Sequence, residues 1–355
     1  MRYSILSPCF NEARYVAKAI NSFLSQTLSD FEIIVVDDAS SDGSLEELRK
    51  VSDPRVKIVA HEYNQGCNAA LNTAFAHSSG DCVAIIACDD ILRPNYLETV
   101  DREFAAHPQA GAFYCALTPI GEDDAPNPAF SEEDFVIRET DRFAHLRRFF
   151  FYGKYLFSPG MVLRRPMAEK IFPLPPQLLQ HQDPHLHVSV LLATDIAVSQ
   201  EHLVGYRILR PGCACAPGFA KEKRDELEKD AVFDAYLQIA DLAFFKRVFT
   251  GCYERYGEPI PATIPYFLGR MALAGKGEAR KRWGYHALMR FYGAPGNASL
   301  LQRLYHFDFK QFLALPEEFD RTPYRKLQKY RRLFWATVTL LLATLAIIVA
   351  LVLWR

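Results

Sequence analysis

The chain has 355 residues, half of them hydrophobic, with 41 Lys and Arg against 42 Asp and Glu. That length and apolar content exclude a disordered or fibrous chain and allow a large core and two domains, while the near-zero charge balance gives no general case for nucleic-acid binding. Eight scattered cysteines, of which only Cys213 and Cys215 are close in sequence, indicate neither a zinc pattern nor a small disulfide scaffold, and a reduced cytosolic setting fits them best.

Along the first half, strand-like and helix-like segments alternate, which is the signature of a parallel sheet with crossover helices. Strands are expected at 3–7, 31–36, 56–60, 82–87 and 111–117. Between them Tyr15, Val16, Ile20, Phe23 and Leu24 fall at helical spacing, a second helix follows Gly66, and a third begins at Pro94 with proline in its first turn. The first strand begins almost at once, without the basic and apolar regions of a secretory signal.

The acidic stretch 122–134, EDDAPNPAFSEED, breaks this alternation and reads as an exposed connector, with a flap over the site as the alternative. Further helices are expected at 141–151 and 185–192, and strands at 161–163 and 202–208. The Pro and Gly residues of 210–218 mark a domain boundary. Beyond it the pattern is mainly helical and turns basic, consistent with nearby anionic headgroups. The expected division is 1–215, 216–332 as a helical juxtamembrane region, and 333–354 as a transmembrane helix.

That last segment, LFWATVTLLLATLAIIVALVLW, carries no charge and is about the length a helix needs to cross a bilayer. Trp335 and Trp354 sit at interfacial positions, and Arg325, Lys326, Lys329, Arg331 and Arg332 crowd its amino side, so the positive-inside rule predicts a single-pass protein with its body on the cytoplasmic side of the cell membrane. In that setting the sequon Asn297-Ala298-Ser299 is silent.

Three polar clusters follow predicted strands: Pro8-Cys9-Phe10-Asn11-Glu12, the run from Asp37 to Ser44, and Asp89-Asp90. In a parallel sheet these positions converge on one rim, where open α/β sheets bind ligands. Each cluster by itself is also compatible with a turn and helix cap. Neither G-x-G-x-x-G nor the Walker A pattern occurs. A carboxylate-rich rim repels phosphate unless a divalent cation bridges the two, which makes Mg²⁺ or Mn²⁺ the complement of Asp89.

Four stretches in order resemble family 2 glycosyltransferases of the GT-A fold: SPCFNE at 7–12, EIIVVDDASSDGS at 32–44, NQGCNAALN at 64–72 and GDCVAIIACDD at 80–90. The resemblance covers roughly residues 1–212 and implies a Rossmann-like, mostly parallel sheet with flanking helices. It also implies a nucleotide-sugar site. Pro8, Phe10, Asn11, Glu12, Asp37 and Asp38 would contact the nucleotide, with base recognition assigned to Asp38. Asn64, Gly66 and Asn68 would open the donor-binding helix, and Cys88 and Asp89 would stand in the family's D-x-D. Here that motif reads Ala87-Cys88-Asp89: the metal-ligand position is kept as Asp89, the first aspartate is lost, and Asp90 supplies an adjacent carboxylate that could help hold the metal.

Farther on, Gln180-His181-Gln182-Asp183 resembles the family's Glu-Asp motif, which makes Asp183 the acceptor-activating base and puts Gln182 in place of the customary Glu. A sugar hydroxyl needs such a carboxylate within hydrogen-bond reach as the anomeric carbon gains oxocarbenium character. The alternative is a helix-capping Asp ahead of Pro184. His181, His185 and His187 read as surface or helix-start residues, because Pro184 interrupts a metal-binding spacing. Tyr206-Arg207-Ile208-Leu209 resembles the family's Tyr-Arg-x-His ending, with Leu209 at the histidine position. The resulting expectation is an inverting transferase that moves a sugar from a nucleotide-diphosphate sugar, a UDP-sugar, to a saccharide or lipid-linked acceptor in surface-polysaccharide or glycolipid assembly. A polyprenyl-phosphate acceptor and a nucleotide-sugar-binding protein without turnover are its rivals. Oligomeric state is left open.

Overall fold

The structure is a computed structural model that describes residues 1–153, 156–208, 218–319, 328–338 and 341. Its strands are β1 (Tyr3–Cys9), β2 (Phe31–Asp37), β3 (Val56–Ala60), β4 (Cys82–Ile85), β5 (Ile91–Leu92), β6 (Ala110–Ile120), β7 (Met161–Arg164) and β8 (Asp195–Arg207). They form one sheet in the order β3-β2-β1-β4-β7-β6-β8-β5. Strands β1 to β4 are parallel, as the alternating pattern predicts. The other half is mixed: β7 runs antiparallel to both β4 and β6, β8 runs parallel to β6, and the two-residue β5 closes the edge against β8.

Continuous apolar runs explain the central strands. Every residue of β2 and of β6 is buried, as expected when a sheet is covered on both faces. Helix α1 (Val16–Leu24) lays Val16, Ala19, Ile20 and Phe23 on the sheet at helical spacing. The helices α2 (Ser44–Arg49), α3 (Cys67–Ala76) and α4 (Tyr96–Ala106) complete the first half, followed by α5 (Arg142–Tyr152), α6 (Arg165–Ile171) and α7 (Gln182–Ala193). Tyr3, Ile5, Phe23, Ile33, Val35, Leu97 and Phe104 meet in the main core.

From residue 219 the described chain is helical: α8 (Phe219–Ala235), α9 (Leu242–Val248), α10 (Ile264–Leu273), α11 (Glu278–Gly293), α12 (Asn297–Tyr305) and α13 (Phe309–Ala314). Helix α8 is no detached appendage. Phe150 of α5 meets Phe233 and Tyr236, at the end of α8 and just after it, and Phe249 after α9, all edge-on with centroids 5.0–5.8 Å apart. Burying an aromatic ring of this size stabilises by roughly 1.5–3 kcal/mol, so this second aromatic core fixes α8 beside α5 and α7. By contacts the chain divides into two units, Met1–Leu268 and Gly269–Arg355. The Pro- and Gly-rich boundary expected at 210–218 lies outside the described residues except for Gly218, as do Cys213, Cys215 and Leu209.

The expected transmembrane helix requires correction. Among the described residues no helix is long and apolar enough to cross a membrane. The described helical stretch 328–338 carries Lys329, Arg331 and Arg332 in its first half, charges that a bilayer core admits only at a cost. Of the remainder of the proposed span only Leu341 is described; 339–340 and 342–354 lie outside the described residues. The single-pass cell-membrane location and its cytoplasmic orientation rested on that helix and are withdrawn with it.

Candidate active site

In the order β3-β2-β1-β4, the chain steps to one side of β1 and then to the other, which opens a crevice at the carboxyl ends of β1, β2 and β4. Loop 8–13 leaves β1 there and is laced to the loop after β2. Asn11 N–H donates to Ser40 Oγ (2.9 Å), Asn11 Oδ1 accepts from Ser41 N–H (2.8 Å), and Glu12 N–H donates to Ser44 Oγ (2.7 Å). Asn11 adopts φ 58°, a left-handed conformation that asparagine tolerates, and Phe10 stands half exposed beside it. The Pro8 carbonyl accepts from Cys88 N–H, joining this loop to the end of β4.

The paired aspartates after β2 have different roles. Asp37 is buried; its Oδ2 accepts from Ser40 N–H (3.1 Å), and its Oδ1 has no hydrogen-bond partner. Asp38 is also buried, and its carboxylate binds His61 Nδ1 (2.7 Å), Gln65 N–H (2.8 Å) and Gly66 N–H (2.7 Å). Asn64 donates to the Asp38 carbonyl. Asp38 thus ties β2 to the turn that starts α3, and Gly66 at φ 90° is where that turn requires a glycine. The Asn68 amide donates to the Pro175 carbonyl (2.8 Å), and Asn72 holds both Leu174 N–H (2.6 Å) and Leu174 C=O (2.8 Å).

The turn after β4 separates its two carboxylates. Cys88 is buried against Ser7 Oγ (3.1 Å) and Cys9, beneath the rim rather than on it. Asp89 is partly exposed, whereas Asp90 is 1% exposed and accepts Arg207 N–H (2.8 Å) from the last residue of β8. The Arg207 guanidinium donates to the Asp89 carbonyl (2.7 Å), to the Gly121 carbonyl and to Asp124, and it stacks 4.3 Å over the Tyr15 ring. Asp124 also binds Lys18, and Glu122 binds Arg14 (2.7 Å), so the start of the acidic stretch 122–134 is strapped to α1. Burial and then the charges of Asp89 and Asp42 push Glu12 up to about 8, against the pull of Arg207. Asp89 is raised by burial, its own backbone N–H and Arg207 opposing.

The candidate base occupies the second position of α7 and is partly exposed. What joins it to the rim is Cys67, the first residue of α3. Its thiol is pushed up to about 12 by burial first, then by the negative charges of Asp183, Asp38 and Asp89. Of the three, Asp38 is bonded directly to the turn that starts α3. Residues 4–172 match the family model described as Glycosyl transferase family 2.

This match extends the comparison to named relatives. A Nostoc sp. protein described as an uncharacterized glycosyltransferase is 30% identical over 221 residues, covering 59% of this chain and 65% of its own. The Escherichia coli UDP-Glc:alpha-D-GlcNAc-diphosphoundecaprenol beta-1,3-glucosyltransferase WfgD is 38% identical over 95 residues, 27% of this chain and 38% of its own. The chain thus spans less than two thirds of the length of either relative. Among solved structures, S. aureus TarS 1-349 in complex with UDP-GlcNAc superposes with a TM-score of 0.56 at 16% identity over 92% of each chain. That likeness is one of fold, and the fold is GT-A-like.

A divalent cation fits the glycosyltransferase domain only in part from the protein side. Among the described residues no group of three or more His, Cys, Asp or Glu is placed to hold a metal. Asp89 is partly exposed where Asp90 is buried, and its charge is among the causes that raise Glu12, a repulsion that a cation would relieve. One carboxylate completed by substrate phosphates and water is the usual way Mg²⁺ is held. The three histidines near the base each have separate surroundings. His187 lies in the core between Tyr114 Oη (3.1 Å) and Ser158 Oγ (3.2 Å), contrary to a surface or helix-start reading, because α7 is buried on that side. His181 binds Asp225 of α8 (2.9 Å), and His185 is lowered in pKa by burial. Sequence reasoning missed the roles of His61, Cys67 and Arg207; Cys67 and Arg207 lay in stretches already singled out, and His61 did not.

Proposed function

We propose that the chain is an inverting glycosyltransferase that moves a sugar from a nucleotide-diphosphate sugar, a UDP-sugar, to a saccharide or lipid-linked acceptor. The observation that carries this reading is the match of residues 4–172 to the family 2 glycosyl transferase model, whose span holds Asp38 and Asp89 at the carboxyl ends of β2 and β4. Asp38, after β2, would serve the nucleotide, Asp89, after β4, the diphosphate, and Asp183, at the second position of α7, the acceptor hydroxyl. The names of the E. coli relative and of the TarS complex, which contain UDP-Glc and UDP-GlcNAc, support the donor class; the first also supports a lipid-linked acceptor.

In this reading loop 8–12 and Asp37–Asp38 receive the nucleoside, with exposed Phe10 offering a ring face to the base. Asp89 would hold Mg²⁺ or Mn²⁺, which neutralises charge on the diphosphate leaving group. Asp183 accepts the proton of the acceptor hydroxyl as its oxygen bonds to the anomeric carbon. The bond from that carbon to the diphosphate oxygen breaks, and the electron pair leaves with the nucleotide. Asp90 acts as a strut: buried and bonded to Arg207 N–H, it holds the turn that presents Asp89.

The test is transfer from labelled UDP-sugars to lipid extracts with and without Mn²⁺. Asp183→Asn should lower kcat by about 10²- to 10⁴-fold while UDP affinity holds, the range expected for loss of a positioned base. Asp89→Ala should remove the metal dependence together with turnover. Metal-dependent UDP binding with no turnover on any extract would favour a binding protein instead, and full activity in Asp183→Asn would favour a polyprenyl-phosphate acceptor, which needs no base.

A further inference from the structure

The base candidate follows ten residues of irregular backbone, 172–181, between α6 and α7. Two clamps fix this segment. At its start Asn68 and Asn72 of α3 hold the 174–175 backbone. At its end a single carboxylate oxygen, Glu228 Oε2 of α8, accepts three successive amide N–H groups: Leu179 (2.9 Å), Gln180 (2.6 Å) and His181 (3.0 Å). Asp225, three residues earlier and so on the same face of α8, binds the His181 ring (2.9 Å). Asp183 follows two residues later.

We propose that Glu228 is a positioning residue for Asp183: it closes the turn ahead of α7 and thereby sets where the base carboxylate meets the acceptor hydroxyl. The inference rests on the glycosyltransferase reading above and names a residue well beyond the end of the family 2 match at residue 172. Glu228 bonds to backbone, not to reacting atoms. Three N–H groups converging on one anion are strong, directional bonds, and no side chain without an acceptor oxygen can replace them. The aromatic core around Phe150 holds α8 in place, so removal of the carboxylate frees the turn rather than the helix.

Glu228→Ala should slow kcat on the order of 10- to 100-fold, the scale of a misplaced catalytic group, with donor KM and UDP affinity changed less than about twofold. Glu228→Gln keeps one acceptor oxygen and should recover most of that loss, remaining about 3- to 10-fold slow. Independently of turnover, amide hydrogen exchange at Leu179, Gln180 and His181 should accelerate in both variants, and more in the alanine form. Should the alanine variant not fold, the glutamine variant carries both readouts. Unchanged exchange at these amides, or kcat equal to wild type in a folded variant, overturns the proposal; so does a parallel loss of donor binding, which marks general damage. A wild type without turnover, alongside the expected exchange, would instead sink the glycosyltransferase reading and leave the clamp standing.

Discussion

Asp38 and Glu32 lie at opposite ends of β2, and each carboxylate collects donors from distant parts of the chain. Asp38 gathers His61, Gln65 and Gly66 at the carboxyl rim. Glu32 gathers Ser4 Oγ (2.8 Å), Ser79 N–H (2.6 Å) and Ser79 Oγ (2.9 Å) at the far edge. Replacing either by Ala leaves buried donors unpaired, so urea unfolding should show a loss of roughly 2–4 kcal/mol for each. Only Asp38→Ala should also weaken UDP binding, because only Asp38 shapes the turn into α3. Burial alone would raise Glu32, but hydrogen bonds from Ser79 and Ser4 and the charge of Arg2 hold it below its ordinary range. Its stabilising contribution is therefore complete above pH ~4.5 and is lost as the pH falls through the lower folded value. Glu32→Gln should flatten that acid limb of a stability–pH curve.

At the scale of elements, the end of β8 decides how the rim is held. Arg207 joins β8 to the post-β4 turn, to Gly121 and to Asp124, while Lys18 and Arg14 of the α1 region grip the same acidic loop. A run as acidic as 122–134 reads in sequence as solvated; its first residues are in fact a strap, because their cationic partners arrive from over 80 residues away in one direction and over 100 in the other. Arg207→Ala strips a buried cation from Asp90 and Asp124 and should cost about 3–5 kcal/mol in urea unfolding. Arg207→Lys keeps the charge but not the fork of donors, and should recover little of it. Glu228 on α8 belongs to the same scale: an element outside the matched domain reaches back to the residues that precede the base.

Across the whole molecule, three histidines carry an acid sensitivity. His145, His181 and His185 are each lowered in pKa chiefly by burial, and His145 has Nε2 on the Glu139 carbonyl with Nδ1 unpartnered. A folded pKa below the ordinary 6.5 means that the unfolded chain binds the proton more tightly. Their contribution is then undiminished well above pH 6.5 and falls as the pH drops through that value toward the folded ones. Melting temperature should decline between pH 7.5 and 5.5. The decline should be smaller in His145→Gln; an equal decline in that variant would remove His145 from the explanation.

Local pattern determined the parallel half of the sheet, the helices flanking it and the three polar clusters on its rim, because an apolar run and the polar residues that end it are encoded within a few adjacent positions. It also pointed to Asp183 as a residue near a helix start, while the choice of Asp89 over Asp90 came from the resemblance to the family's D-x-D. What the carboxylates bind was decided only in three dimensions. Asp38 meets amides 27 and 28 residues away, Asp90 an amide 117 away, and the turn before Asp183 a carboxylate 47–49 away. The antiparallel entry of β7 between β4 and β6 was equally hidden, since a four-residue apolar strand reads the same in either direction. Hydropathy of the last segment promised a membrane span, but among the described residues no helix is long and apolar enough to cross a membrane. Periodicity is local and pairing is not, so the chain announced where its site would stand and left to the fold which groups remain free to act there.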